Sequence, residues 1–335
     1  MPRDSSGIHE GIWMSQSYPR LLGDIGGTNA RWAWQCAPGA PLEDVSVMGC
    51  EASASLYDAA ASYLAARGAQ APKAASIGVA TAVTGDDICF TNSPWSFSIA
   101  ALKQALGIDQ CLVINDFTAL AMSLPTLGQS DLRPIGGGQA VPGAPMALLG
   151  PGTGLGVSGL LTHATGACLA LSGEGGHVTL ASADDTESEV LRCLRMRHGH
   201  VSAERVLSGF GLVNLYQASC EMRGEASRDF EAADITHAAI AATDMACQQA
   251  VSLFASFLGN VAGNLALTLG ARGGVYVGGG IVPRLGTAFD AALFRQRFEE
   301  KGRFEAYLQA IPTWVITAAT PALLGASRAL DDMRA

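Results

Sequence analysis

The chain has 335 residues, of which 49% are hydrophobic and 15% charged, and its formal net charge is −9. That length supports one large or two ordinary domains with ample core, and the composition excludes a disordered chain. The acidic balance argues against a general nucleic-acid binder, which carries a basic footprint, so a polyphosphate ligand has to be attracted by local N–H groups, helix N-termini or a metal ion.

Residues 1–18 are polar and unpatterned and read as a disordered N-terminal extension without the apolar run of a signal peptide. Met14, just ahead of the first apolar run, raises the alternative of a later start. Strands are expected near 21–25, 31–35 and 45–48, then a helix over 56–67 that stops before Gly68. A small-residue strand follows at 75–80, a short helix at 98–106, a buried strand at 111–114 and a helix opening at Asn115-Asp116. The first three strands are joined by short turns and the later ones by helices, which predicts a mixed sheet.

A Pro/Gly-rich link over 134–145 precedes a restart of the pattern, with strands at 146–149 and 155–161. A helical block runs from about 186 to 270, followed by a strand ending in Gly278-Gly279-Gly280, a last strand at 313–317 and a closing helix at 321–333. No charge falls between Asp244 and Arg272, but Ser252, Ser256, Asn260, Asn264 and Thr268 interrupt the apolar run at helical spacing. That favours a buried central helix over a membrane span. The eight cysteines form no Cys-x-x-Cys pair and several lie in apolar runs, which fits reduced thiols in a cytoplasmic protein. The whole reads as an α/β protein of two domains with an intervening cleft.

Two glycine-rich segments nearly repeat each other: LLGDIGGTNAR at 21–31 and LLGPGTGLGV at 148–157. Each reads as strand, tight turn, strand. Glycines in such a turn let backbone N–H groups approach a bound anion, and a threonine adds a hydroxyl donor. Asp24 is the lone charge in its apolar run; it is either a Mg²⁺-side carboxylate or a turn-forming residue bonded to its own backbone. Asp116 reads either as a helix cap or as a carboxylate at the carboxyl end of a strand, placed to accept a proton. In Leu171-Ser172-Gly173-Glu174-Gly175-Gly176-His177 an acid and a histidine are spaced by glycines, so neither is expected in a helix. This segment suits either a loop around a small polar ligand or a solvated surface loop. Glu204 falls in the first turn of an expected helix, where it either complements the dipole or serves a ligand.

Together LLGDIGGTNARWA, VINDFTALAMSLP, LGPGTGLGVSGLL, LSGEGGHVTLA, GHVSAERVLSGFGLVNLY and GGVYVGGGIVPR resemble the bacterial glucokinase family in its non-ROK branch, over about residues 20 to 330. The resemblance implies the two-domain actin-like ATPase (ribonuclease H-like) fold, with a small domain of 19–126 plus 318–335 and a large one of 127–317. It implies ATP-dependent phosphorylation of glucose to glucose 6-phosphate, with ATP and Mg²⁺ as cofactors. Gly23, Asp24, Ile25, Gly26, Gly27 and Thr28 would form the first phosphate turn with Asp24 toward the metal. Gly152, Thr153 and Gly154 would form the second, and Gly278, Gly279 and Gly280 would lie by the adenosine. Asn115, Asp116, Glu174, His177 and Glu204 would bind sugar hydroxyls with Asn92 nearby, and Asp116 would be the base on the 6-hydroxyl. A cytoplasmic homodimer that engages neither nucleic acid nor membrane is also implied. The cysteine-rich zinc motif of the ROK branch is missing, and Pro151, which has no N–H, stands where the family often has alanine. Rival readings are a kinase for another hexose, a sugar-responsive regulator and an actin-like assembling ATPase. Too few residues precede the first strand for a regulator's helix-turn-helix, and the Glu174–His177 loop disfavours the assembling ATPase.

Overall fold

The computed structural model describes residues 17–68, 70–90 and 95–332. The chain divides into two compact units: the first runs through Leu127 and takes in 167–170 and the segment from Ala319, and the second comprises 128–166 and 171–318.

The first unit is built on a five-stranded sheet of order β3-β2-β1-β4-β7. Its strands are β1 (Arg20–Ile25), β2 (Asn29–Gln35), β3 (Glu43–Gly49), β4 (Ala74–Val79) and β7 (Gln110–Asn115). β1 pairs antiparallel with β2 and parallel with β4, and β4 pairs parallel with β7. All six residues of β4 are buried, as expected of a central strand between parallel neighbours. Helices α1 (Leu56–Arg67), α2 (Ile99–Leu106) and α3 (Asp116–Ser123) complete this part. Ser55 caps α1 through the N–H of Asp58, and Gly68 ends it in the left-handed conformation. A two-stranded ribbon, β5 (Asp87–Cys89) with β6 (Ser96–Ser98), escapes sequence reading because three-residue strands carry too little alternation.

The second unit holds β8 (Leu132–Gly136), β9 (Met146–Pro151), β10 (Leu155–Thr162), β11 (Cys168–Gly173), β12 (Val275–Val277) and β13 (Thr313–Ile316). Their order is β11-β10-β9-β12-β13-β8. The antiparallel β9–β10 and parallel β9–β12 and β12–β13 pairings repeat those of β1–β2, β1–β4 and β4–β7. The duplication suggested by the two glycine turns therefore extends to whole sheets. Its helices are α4 (Asp185–His198), α5 (Gly209–Arg223), α6 (Ala232–Ile240), α7 (Met245–Leu269), α8 (Ile281–Leu285), α9 (Ala291–Glu299) and α10 (Glu305–Gln309).

Two expectations need correcting here. The segment read as a Pro/Gly-rich link begins in β8, where Pro134 lies opposite Trp314 next to a register shift. β8 is an edge strand, so a proline lacking its N–H is tolerated. Likewise, Leu171 to Gly173 belong to β11 and not to a loop. α7 is long and apolar enough to cross a membrane, yet 72% of its apolar window is buried. Gly259 and Gly263 face the backbone of α9 at Phe294 and Phe298, which makes α7 a core helix of this unit.

The last helix, α11 (Pro321–Asp332), returns to the first unit. Arg20 of β1 is 1% exposed and secures it, donating to the Ser327 carbonyl at 2.9 Å, the Ser327 hydroxyl at 3.0 Å and the Asp331 carboxylate at 2.6 Å. A buried guanidinium requires such pairing, here through both terminal nitrogens, because an unpaired charge in the core costs several kcal/mol.

Candidate active site

The first glycine turn links β1 to β2 through Gly26-Gly27-Thr28. The Gly26 N–H closes it on the Asn29 carbonyl at 2.9 Å. Among the described residues the N–H groups of Gly27 and Thr28 have no partner, and Thr28 is exposed. Asp24 lies just before this turn and is half-buried. Its cross-strand partner is Arg31, whose Nη1 reaches Asp24 Oδ2 at 3.2 Å. Burial pushes the Asp24 carboxyl above its usual range, and the Arg31 charge and hydrogen bond pull it back. The turn-forming alternative for Asp24 finds no support, since its recorded partner is a side chain across the hairpin. Arg31 went unnoticed in the sequence, although four residues between the paired Ile25 and Ala30 place positions 24 and 31 opposite one another.

At the β7–α3 junction the cap is Asn115, not Asp116. Asn115 Oδ1 accepts from the N–H groups of Phe117 at 2.9 Å and Thr118 at 3.2 Å, and its Nδ2 donates to the Thr81 carbonyl at 3.3 Å. Asp116 is the first helical residue, with Oδ1 accepting the Phe117 N–H at 2.9 Å. Burial, reinforced by the Asp24 charge, pushes its carboxyl up to about 7, while the Phe117 N–H acts in the opposite direction. A carboxyl poised near neutrality suits proton transfer.

In the second unit Gly152-Thr153-Gly154 links β9 to β10. The Gly152 N–H bonds the Gly154 carbonyl at 2.8 Å, and the Gly209 N–H bonds the Gly152 carbonyl at 2.9 Å. As in the first turn, two successive N–H groups, those of Thr153 and Gly154, lack partners among the described residues, and Thr153 is exposed. The third glycine run packs beside this turn. The Gly278 N–H donates to the Leu149 carbonyl at 2.8 Å, and Gly279, at φ +76°, sits where a Cβ would overlap the Pro151 carbonyl. Gly280 is exposed at the start of α8.

The Glu174–His177 segment differs from its expectation. Gly175 to His177 form one 3-10 turn, closed by the His177 N–H on the Glu174 carbonyl at 3.1 Å. The cause is tertiary: a Cβ on Gly176 would overlap the Leu155 carbonyl, so the segment can wind tightly only against β10. The side chains of Glu174 and His177 are exposed. A bridge between Thr179 and Ser202, with bonds from Leu180 N to Val201 O at 3.0 Å and from Ala203 N to Val178 O at 2.9 Å, brings this segment beside Glu204. Glu204 also lies in a 3-10 turn, Ala203–Arg205, and not in the expected longer helix. Its Oε2 accepts the Leu155 N–H at 2.9 Å. The structure thus groups Asp24, Asn115 and Asp116 in the first unit, and Gly152–Gly154, Glu174, His177, Glu204 and Gly278–Gly280 in the second. Asn92 lies outside the described residues.

Paired mixed sheets, each with a strand–glycine turn–strand corner, define the actin-like class of sugar kinases and ATPases. The fold matches that of a Streptomyces griseus ROK-family glucokinase solved with glucose and AMPPNP, with a TM-score of 0.61 at 18% identity over 92% of this chain and 97% of that one. A solved glucokinase from an Antarctic psychrotroph superposes with a TM-score of 0.86 at 36% identity, covering 93% of this chain and 98% of the other. The "Glucokinase" family profile matches residues 21–333. A glucokinase of Aromatoleum aromaticum is 51% identical over 319 residues, 95% of this chain and 96% of its own length. One from Chromobacterium violaceum is 49% identical over 319 residues, 95% of this chain and 91% of its own. The chain belongs to the glucokinase family, kinases that phosphorylate glucose.

Proposed function

We propose that the chain transfers the γ-phosphoryl group of ATP to the 6-hydroxyl of D-glucose, with Asp116 as the base. The observation that carries this reading is the division of labour at the β7–α3 junction. Asn115 Oδ1 caps α3, and Asp116 opens the helix with its carboxyl pushed up to about 7 by burial and the Asp24 charge, against the local hydrogen bonds that it accepts. Asp116 accepts the hydroxyl proton as the oxygen attacks the γ-phosphorus, and the bond from that phosphorus to the leaving ADP oxygen breaks. In the second unit Glu174, His177 and Glu204 supply acceptors and donors for sugar hydroxyls. Groups that bond a hydroxyl discriminate strongly, because an inverted or missing hydroxyl leaves a buried polar group unpaired.

The unpartnered N–H pairs of Gly27-Thr28 and Thr153-Gly154 bind phosphate oxygens, and Gly278–Gly280 leave room for the adenosine. Among the described residues no cluster of three or more His, Cys, Asp or Glu could hold an ion on its own. Asp24, a hard oxygen donor with Oδ1 unengaged beside the first turn, fits a Mg²⁺ that shares its coordination with phosphates and water. Bound there, Mg²⁺ would supply charge neutralisation for the transferring phosphate. A cytoplasmic homodimer is the assembly expected on this reading, and light scattering on the purified chain checks the dimer.

The test is a coupled assay across hexoses and phosphoryl donors. Glucose with ATP should be turned over preferentially; faster turnover of fructose or mannose would overturn the glucose assignment.

A further inference from the structure

The second phosphate turn has no charge of its own, yet it is held at both ends by one short segment. Ser208 caps α5 through the Gly211 N–H at 3.0 Å, and the next residue, Gly209, donates its N–H to the Gly152 carbonyl at 2.9 Å. At the other end the Leu155 N–H is taken by Glu204 Oε2 at 2.9 Å. The free N–H groups of Thr153 and Gly154 lie between these two anchors. Glu204 itself is firmly seated. Ser202 accepts the Arg205 N–H at 3.4 Å, and the Ser208 hydroxyl donates to the Glu204 carbonyl at 2.8 Å. A Cβ on Gly154 would overlap Glu204 Oε2, so the turn and the carboxylate are in direct contact. Glu204 Oε1 has no partner among the described residues and is the oxygen left for a ligand.

The geometry points to a second duty for Glu204: it is a positioning residue for the second phosphate turn, linking sugar occupancy to nucleotide binding within one unit. This rests on the assignment of Glu204 to the sugar made above. A carboxylate that offers one oxygen to a sugar hydroxyl and the other to a backbone N–H holds the turn best when the sugar fixes its orientation. Coupling of this kind is reciprocal, so glucose tightens nucleotide binding by the factor by which nucleotide tightens glucose binding.

The experiment compares Glu204→Ala, Glu204→Gln and Gly154→Ala, with ADP–Mg²⁺ binding measured by calorimetry without sugar and glucose KM measured by kinetics. A charge-assisted hydrogen bond to a buried N–H predicts that Glu204→Ala weakens ADP binding about tenfold without sugar. Glu204→Gln keeps an oxygen for the Leu155 N–H, so it should restore ADP affinity to within about threefold of the parent while glucose KM still rises about tenfold or more. A merely structural role would not separate the two variants in this way. Gly154→Ala displaces the carboxylate without removing it and should raise glucose KM, although residue 154 offers the sugar no side chain. Parent-like ADP affinity in folded Glu204→Ala overturns the positioning role. If that variant does not fold, unchanged glucose KM in Gly154→Ala overturns it instead. Weakened ADP binding in Glu204→Ala with unchanged glucose KM in Glu204→Gln keeps the positioning role and overturns only the sugar assignment.

Discussion

The two glycine turns present nearly the same backbone and differ in what stands behind it. Each joins antiparallel strands, with four residues between the paired Ile25 and Ala30 and three between Pro151 and Leu155, and each closes on one backbone bond and leaves two successive N–H groups without a partner among the described residues. Behind the first stands a carboxylate pair: Asp24, held by Arg31, and Asp116, whose proton affinity Asp24 raises. Behind the second stand backbone anchors and Glu204. On the proposed reading the same corner serves once for charge and proton chemistry and once for positioning, through backbone anchors and the Glu204 carboxylate. Substitutions on the first side should act on turnover, and those on the second side on binding.

The sharpest break of that asymmetry is Asp116→Asn. Loss of the base should lower kcat by about 10²–10⁴-fold while leaving glucose KM within about tenfold in steady-state kinetics; near-normal turnover would remove Asp116 from the chemistry. The same substitution should stabilise the fold. The Asp116 carboxyl, ordinarily near 3.8, is raised to about 7, so the folded chain binds this proton more tightly than the unfolded one. Its contribution is full below about pH 4 and is lost as pH rises to about 7. Thermal melts at pH 8 should therefore place Asp116→Asn above the parent, an instance of stability given up at a reactive site.

Next in size is Asp24→Asn, which should reduce metal-dependent turnover by about 10²-fold as one charged ligand is lost. It also sharpens the pairing claim. In the parent, kcat/KM for glucose should fall below about pH 7 as Asp116 takes up its proton. Removing the Asp24 charge should move that acid limb to lower pH, and an unmoved limb would show that the two carboxylates do not interact.

On the second side, away from Glu204 and Gly154, the effects should be smaller and confined to the nucleotide. Gly279→Ala forces a side chain into a φ of +76° against the Pro151 carbonyl, which should cost about 1–3 kcal/mol and raise the KM for ATP with glucose KM unchanged. Smallest is Thr153→Ala. Loss of one hydroxyl should raise the KM for ATP about two- to tenfold, and more than Thr28→Ala does, because on the first side a Mg²⁺ held at Asp24 would keep a second grip on the phosphates. Equal effects of the two threonine variants would argue against the asymmetry.

Much of this architecture is legible in the amino-acid order. The β1–turn–β2 and β9–turn–β10 corners announce themselves because glycines punctuate apolar runs, and β4 and β7 because short runs of small or branched residues are bounded by turn signals. Asp24 and Asp116 stand out as lone charges in apolar surroundings. What escaped has identifiable causes. β8 was hidden by Pro134, which reads as a strand breaker unless the strand is known to lie at an edge. The 3-10 turn at Gly175–His177 was hidden because its glycines signal looseness in isolation, whereas contact with β10 turns that freedom into tight packing. The capping role at Asn115-Asp116 could not be divided between the two residues, since both types cap equally well.

By itself, then, the order of residues determined the duplicated strand–turn–strand plan, the mixed sheets, the family and the short list of polar residues able to do chemistry. These follow from local properties: backbone freedom, apolar periodicity and the cost of burying a lone charge. Only the tertiary structure decided which of two adjacent residues caps α3 and which opens the helix, that Arg31 holds Asp24 and that Glu204 reaches the Leu155 N–H. Those choices depend on which distant groups fold to within about 3 Å of one another, the range over which hydrogen bonds act and beyond which sequence separation carries no information.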